Sequence, residues 1–275
     1  MGLTRSVDPC RVQMGAWQVQ IRAPARMVQP LRAILSHIEI PEQGLPPLAI
    51  SVAGDGFARG MVDGKEAWAH PLSGRDWLTI LLGYAVATAT SLLRELLFLH
   101  AGAIEIGGRG SILVGSPGAG KTSIVGSLLR RGAAYLSDEV AVLDPKAGAV
   151  HAFSLPLAVK PWTAQAMGAF PPGRLLAADD NVRYLLPDRR AQGPVPVDWL
   201  VLLDPSAPAS RPLEMPRGEM LLALSRQASS FRHRDRLDAA FSGFVRIVRR
   251  ARCVRLGSGV PADAARILAD LHGLA

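Results

Sequence analysis

The stretch Gly115-Ser116-Pro117-Gly118-Ala119-Gly120-Lys121-Thr122 constrains this chain more than any other. It fits G-x-x-x-x-G-K-[ST], the pattern of a loop that cradles phosphate. A triphosphate needs many hydrogen-bond donors on a concave surface. Gly115, Gly118 and Gly120 let the backbone curl so that successive N–H groups point inward. Lys121 supplies a point charge for the β- and γ-phosphates, and the Thr122 hydroxyl suits Mg²⁺. Ser116, Pro117, Ala119 and Ser123 complete the set expected to line a nucleotide. The helix that should follow brings its positive N-terminal end to the same place.

The flanking sequence fits this reading. Ser111-Ile112-Leu113-Val114 is a short apolar run expected to be a buried strand leading into the loop. Residues 122–131 are expected to be a helix, with Ile124, Val125, Leu128 and Leu129 on one face. Arg130 and Arg131 fall in its last turn, and Gly132 makes a C-terminal stop. The alternative, a chance glycine-rich turn, leaves this strand–loop–helix context unexplained.

A chain of 275 residues can bury a sizeable core. Hydrophobic content of 49% with 20% charged residues describes a soluble globular protein. The first thirty residues contain no continuous apolar core of signal-peptide length. Cys10 and Cys253 are the two cysteines, far apart, and imply neither a disulfide framework nor a metal site. A cytoplasmic location is the simple expectation.

The net charge of +8 raises the question of nucleic acid. Lysine occurs only at 65, 121, 146 and 160, so 27 of the 31 basic residues are arginine. With abundant Ala, Gly and Pro, that skew reads as the codon bias of a GC-rich genome. No nucleic-acid-binding motif occurs and the aromatics are not interleaved with the arginines, so no nucleic-acid partner is expected. The uncharged run from Trp77 to Leu93 raises the membrane question. It falls short of the roughly 20 apolar residues of a spanning helix and carries several Thr, Ser and Gly. Ser73 with Asp76 makes a capping box, and Gly74 to about Phe98 is expected to be a buried helix.

Residues 1–72 are expected to form a small β-rich region, with strands at Trp17 to Ile21 and Leu48 to Val52 and an Asp63-Gly64 hairpin turn. Residues 73–275 are expected to form an α/β nucleotide-binding domain with a mixed sheet. Leu99 to Ile106 and Ser111 to Val114 flank Gly107-Gly108-Arg109-Gly110 as a hairpin. Ala134 to Leu143 is a strand-like run interrupted by Asp138 and Glu139. Trp199 to Leu203 is a further buried strand ending at Asp204, in the manner of a Walker B strand. On motif shape alone Asp138 and Asp204 are rivals for the metal or the base, and Pro205 makes Asp204 equally a turn former. Phe241 to Arg252 and Ala262 to Leu271 are expected to be helices, the first with a solvated basic face.

Leu99-His100-Ala101-Gly102-Ala103, the hairpin, the glycine loop, Arg130-Arg131-Gly132 and Ser137-Asp138-Glu139 together resemble the catalytic domain of HPr kinase/phosphorylase. More closely they resemble the HPr-kinase-related P-loop kinases, some of which accompany lasso-peptide biosynthesis. His100 precedes Lys121 by 21 positions and Asp138 follows it by 17, spacings that agree with that family over about residues 98–145. The resemblance implies a core like that of phosphoenolpyruvate carboxykinase and transfer of the ATP γ-phosphate to a serine hydroxyl. It implies Asp138 as catalytic base, His100 as an active-site histidine and Glu139 where a second Asp is usual. Thr122, Asp138 and Glu139 would hold Mg²⁺.

The family's Leu-Glu-Ile-Arg-Gly segment, with its further metal-binding glutamate, is missing. Neither phosphate-stimulated reversal nor HPr as substrate is therefore implied. Lys160 downstream is read equally as a solvated lysine or as a contact to phosphate or an acidic substrate, and Arg183, one arginine among 27, carries little weight as a stabiliser of transferred charge. The expected acceptor is a peptide or small protein, such as the precursor of a ribosomally made peptide, and a homo-oligomer stays open. The alternatives are an ATPase or nucleotide-dependent assembly protein, and a small-molecule kinase.

Overall fold

The computed structural model describes residues 10–14, 17–36, 48–52, 57–62, 64–71, 81, 83, 95–153, 155–178, 181–207, 211–228 and 237–273. The chain divides after Leu93 into two compact units. The sequence division at 72/73 falls inside the first. The architecture is mixed α/β, with six helices among the described residues. None of those helices is long and apolar enough to cross a membrane.

The first unit carries β1 (Cys10–Met14), β2 (Trp17–Arg22), α1 (Ala25–Leu35), β3 (Leu48–Val52), β4 (Phe57–Val62) and β5 (Lys65–Pro71). They form one sheet in the order β1-β2-β3-β4-β5. β2 and β3 are parallel, which requires a crossover, and α1 lies between them in the chain. Val28, Leu31, Ile34 and Leu35 of α1 are buried, as are Val12, Val19, Ile21 and Ile50. The sequence reading missed α1 because Pro30 sits inside it and argues against a helix. β4 and β5 meet at Val62 and Lys65, as the Asp-Gly signal predicted.

The second unit begins with β6 (Leu97–Leu99), β7 (Gly102–Ile106), β8 (Arg109–Val114) and α2 (Lys121–Arg130). β9 (Ala134–Ser137), β10 (Ala141–Asp144) and β11 (Ala149–His151) follow. A small three-stranded sheet comes next, from β12 (Leu157–Val159), β13 (Gly173–Ala178) and β14 (Arg183–Pro187), with α3 (Pro161–Met167) between its first two strands. The chain then runs through β15 (Val195–Leu203), β16 (Leu213–Glu214), α4 (Arg217–Gln227), α5 (Leu237–Arg250), β17 (Arg252–Leu256) and α6 (Pro261–Leu271).

The main sheet is mixed. β8 pairs antiparallel with β7 and parallel with β15, and β15 pairs parallel with β17. Alternate residues bury on opposite faces, as the pleat requires. Ile112, Val114 and Leu200 pack with Met220 and Leu224 of α4 and Phe244 and Ile247 of α5. Leu113 and Val201 pack on the other face with Ile124 and Leu128 of α2 and Ala265 and Leu268 of α6. Helices on both faces of a sheet with parallel strands leave the carboxyl edge of those strands for loops.

Two expectations are corrected. The helix expected at 74–98 lies outside the described residues except for its end and for Leu81 and Gly83, which are helical. Its end is wrong, because Leu97–Leu99 form a strand against Leu143, Val142 and Ala141. A short apolar run does not declare helix or strand by periodicity alone. The single strand expected from Leu99 to Ile106 is broken at His100-Ala101. The two halves keep one register: Leu99 pairs with Ala141 on one side of the break and Ala103 with Ser137 on the other. His100 and the Asp138-Glu139 pair therefore face each other across an interruption in one antiparallel ladder.

Candidate active site

The glycine loop joins β8 to α2 and is held by its own glycines. Gly118 and Gly120 adopt φ of 82° and 89°, where a side chain is strained. A Cβ on Gly115 would stand 2.9 Å from Ala119 Cβ and 3.0 Å from the Leu203 carbonyl oxygen of the neighbouring strand. The loop therefore tolerates nothing larger at 115. The Ala119 N–H donates to Ser116 O at 3.1 Å, closing the turn. Ser116, Pro117 and Gly118 are exposed, Ala119, Lys121 and Ser123 are buried, and Gly120 and Thr122 lie between. α2 starts at Lys121 and ends as predicted, with Gly132 at φ 91° and its N–H on Leu129 O.

Lys121 arches back over the loop. Its Nζ donates to Gly115 O at 2.9 Å and to Ser116 O at 3.4 Å. Burial pulls its ammonium below the ordinary lysine range, against the opposing pull of Glu139 and Asp138. A buried cation, a helix start with no side-chain cap and a loop of small residues are the features of an anion cradle.

The acid pair lies on the adjacent turn between β9 and β10. Ser137 shapes that turn: its Oγ accepts from the Val140 N–H at 3.1 Å and the Glu139 N–H at 3.4 Å. Asp138 is 4% exposed. The Tyr135 hydroxyl donates to its Oδ1 at 2.9 Å, and it also interacts with the Thr122 hydroxyl and the Ala158 N–H. Burial and the neighbouring Glu139 charge push Asp138 up to about 7, past the lowering effect of those donors. Burial also drives the Tyr135 phenol well above its usual range.

Glu139 goes the other way. Its side chain is 61% exposed, and the crowding of protein around it works to raise it, but the bond to His100 and the charges of His100, Lys121 and Lys160 outweigh that and leave it below the ordinary carboxylate range. His100 Nδ1 lies 3.0 Å from the Glu139 carbonyl oxygen and 3.3 Å from its Oε1. The His100 N–H is held by Gln227 O at 2.9 Å. Two adjacent carboxyl groups thus have opposite proton affinities, which equips one to accept a proton while the other stays charged.

The structure brings together Lys121, Thr122, Asp138, Glu139 and His100, all singled out in the sequence. It separates Asp204 from them in role. Asp204 Oδ1 accepts from the Ser206 N–H at 2.9 Å and from Ser206 Oγ at 2.6 Å, and Oδ2 lies 3.7 Å from Arg255. That is a turn former with its own cation, and these contacts hold it below its usual range. Lys160 is the N-cap residue before α3, its ammonium 5.3 Å from the Trp162 ring centre, while Arg183 stacks at 5.3 Å on Phe170. Arg249 and Arg250 lie on the exposed face of α5, opposite Phe244 and Ile247.

Sequence reasoning assigned no role to Tyr135, Ser137 or the Ala158 N–H. Residues three apart on a strand face opposite sides, so nothing in the spacing links Tyr135 to Asp138. The turn after Ser137 makes the contact.

Among the described residues no three or more His, Cys, Asp or Glu side chains form a metal-holding group. The oxygen donors at hand are the Thr122 hydroxyl and the carboxylates of Asp138 and Glu139. Such a sparse, hard-oxygen set fits Mg²⁺, which keeps several waters and takes further ligands from substrate phosphates. No protein-family model matches this chain, and no curated protein matches it either.

Proposed function

We propose that this chain is an ATP- and Mg²⁺-dependent kinase of the HPr-kinase-related P-loop type, transferring the γ-phosphate to a serine hydroxyl of a peptide or small protein. The observation that carries this reading is the contact of buried Asp138 with Thr122, at the first turn of the helix that follows the glycine loop. A carboxyl group pushed up to about 7 beside an anion cradle suits proton abstraction at neutral pH.

In this reading the N–H groups of Gly118, Gly120, Lys121 and Thr122, with the Lys121 ammonium, bind and orient the phosphates. Lys121 exchanges its bonds to Gly115 O and Ser116 O for the β- and γ-oxygens. Asp138 accepts the proton of the attacking hydroxyl, a role that typically contributes ~10²–10⁴-fold. Tyr135 orients Asp138, Ser137 shapes the turn that carries the acid pair, and His100 holds Glu139 in place. Mg²⁺, held by Thr122 with Asp138 and Glu139, would neutralise phosphate charge that builds in a loose transition state.

Incubation with γ-labelled ATP, Mg²⁺ and serine-containing peptides tests this. The expected product is acid-stable phosphoserine, lost on Lys121→Ala. Free phosphate without labelled peptide across a broad peptide pool contradicts the kinase reading and favours an ATPase.

A further inference from the structure

We propose that Lys160, held over the exposed Trp162 ring, is the specificity-determining cation of the acceptor site, pairing with an acidic side chain about two or three residues from the serine that is phosphorylated. This rests on the kinase reading above and names the class of acceptor, an acidic peptide in extended conformation.

β12 runs past the acid pair. It is an edge strand of the small sheet, in the order β12-β14-β13. One side of it pairs with β14, with Ala158 opposite Tyr184. Ala158 turns its N–H to the other side, where it bonds the Asp138 carboxyl group. Asp138 therefore stands between Thr122, in the first turn of α2, and the outer edge of β12. In the kinase reading the phosphates arrive on the Thr122 side, which leaves the β12 side for the acceptor hydroxyl.

Lys160 follows β12 with extended backbone, at φ −81° and ψ 159°. Side chains two residues apart on an extended chain share a face and stand about 7 Å apart. Leu157 and Val159 take the opposite face and are buried in the core with Leu113 and Ile124. Ala158 and Lys160 are thus on the side away from that core, and Lys160 is exposed. Its charge reaches Glu139 and helps to hold that carboxylate low. An extended acceptor whose serine meets Asp138 beside Ala158 carries its neighbouring residues past Lys160.

The chemistry at Lys160 calls for an anion. Lys146, the other exposed lysine of this unit, pairs with Glu95. Lys160 has no carboxylate within ion-pair distance among the described residues, and its ammonium lies 5.3 Å from the Trp162 ring centre. Trp162 is 65% exposed. Such a ring steadies the ammonium and leaves its outer N–H donors for a partner. Arg183 pairs with Val159 across the sheet and stacks in the same manner on Phe170, so a second cation stands at this end of the sheet. Glu139 is already engaged by His100.

N-acetylated, C-amidated peptides test this, each with one serine in an Ala/Gly sequence and one Glu moved from four residues before the serine to four after it. Labelled ATP and Mg²⁺ supply the phosphate, and the blocked ends leave the Glu side chain as the peptide's own charge. Wild type is expected to show a KM about fivefold lower when Glu stands two or three residues from the serine, the order of one paired surface charge. Lys160→Gln is expected to erase that difference, and Lys160→Glu to pass the advantage to peptides with Lys at the same position. No Glu preference in wild type, or a preference that survives Lys160→Gln, overturns the proposal and leaves the kinase reading standing. A raised KM for ATP in Lys160→Gln, with neutral and acidic peptides affected alike, assigns Lys160 to the phosphates and overturns the proposal too. A wild type that labels none of the peptides contradicts the kinase reading itself, and this proposal with it.

Discussion

The Tyr135 hydroxyl donates a 2.9 Å hydrogen bond to Oδ1 of Asp138, and both side chains are buried. The bond fixes the carboxyl group and favours its charged form against the cost of burial. Tyr135→Phe removes the donor and leaves the shape. A hydrogen bond to a charged group is worth ~1.5–3 kcal/mol, so transfer should fall about tenfold or more at neutral pH. Without the donor, Asp138 holds its proton more tightly, and the acidic limb of the pH–rate profile should move upward. Nucleotide affinity should stay unchanged. An unmoved limb would remove Tyr135 from the mechanism.

Asp138 also sets a stability dependence. Burial raises it in the folded state to about 7 from an ordinary 3.8. A raised carboxyl group contributes fully at low pH, where it is neutral in both states. That contribution is lost as pH rises from its unfolded value through about 7. Asp138→Asn carries no such charge. The variant should therefore gain stability relative to wild type between pH 5 and pH 8, by on the order of a few kcal/mol. Thermal melts at the two pH values measure this, and a constant difference between the proteins would contradict it.

The glycine loop should be intolerant in a position-specific way. Gly118→Ala and Gly120→Ala each force a side chain into the left-handed region, at about 1–2 kcal/mol. Gly115→Ala pushes a methyl against the Leu203 backbone oxygen and Ala119. Nucleotide affinity should fall at least tenfold in all three while far-UV circular dichroism stays unchanged. Undiminished affinity in any of them would show that its backbone geometry is not needed.

Asp204→Asn should be the contrast. Its carboxylate serves Ser206 and Arg255 and faces no catalytic partner. Transfer should stay within a few-fold of wild type, with a stability loss of about 1 kcal/mol. A loss of transfer as large as that of Asp138→Asn would reinstate the Walker B reading.

These contrasts show what was legible in the sequence. The glycine loop, its helix and the Gly132 stop could be read directly, because each rests on local backbone chemistry. The strands at Trp17, Leu48, Ser111 and Trp199 were legible for the same reason. On motif shape alone Asp138 and Asp204 were rivals, because both end apolar strands, and only the family resemblance preferred Asp138. What separates them is tertiary: Tyr135 and Thr122 surround one, Ser206 and Arg255 the other. The break at His100 was hidden inside a run that read as continuous strand. It follows from the shared register of Leu99 with Ala141 and Ala103 with Ser137, which only pairing reveals.

The most direct measurement is γ-phosphate transfer from labelled ATP with Mg²⁺ to a serine peptide pool, comparing wild type with Asp138→Asn. The account predicts labelled serine from wild type, loss of about 10²-fold or more in the variant, and nucleotide affinity retained in both. Equal labelling by the two proteins would contradict Asp138 as the base and with it the central claim.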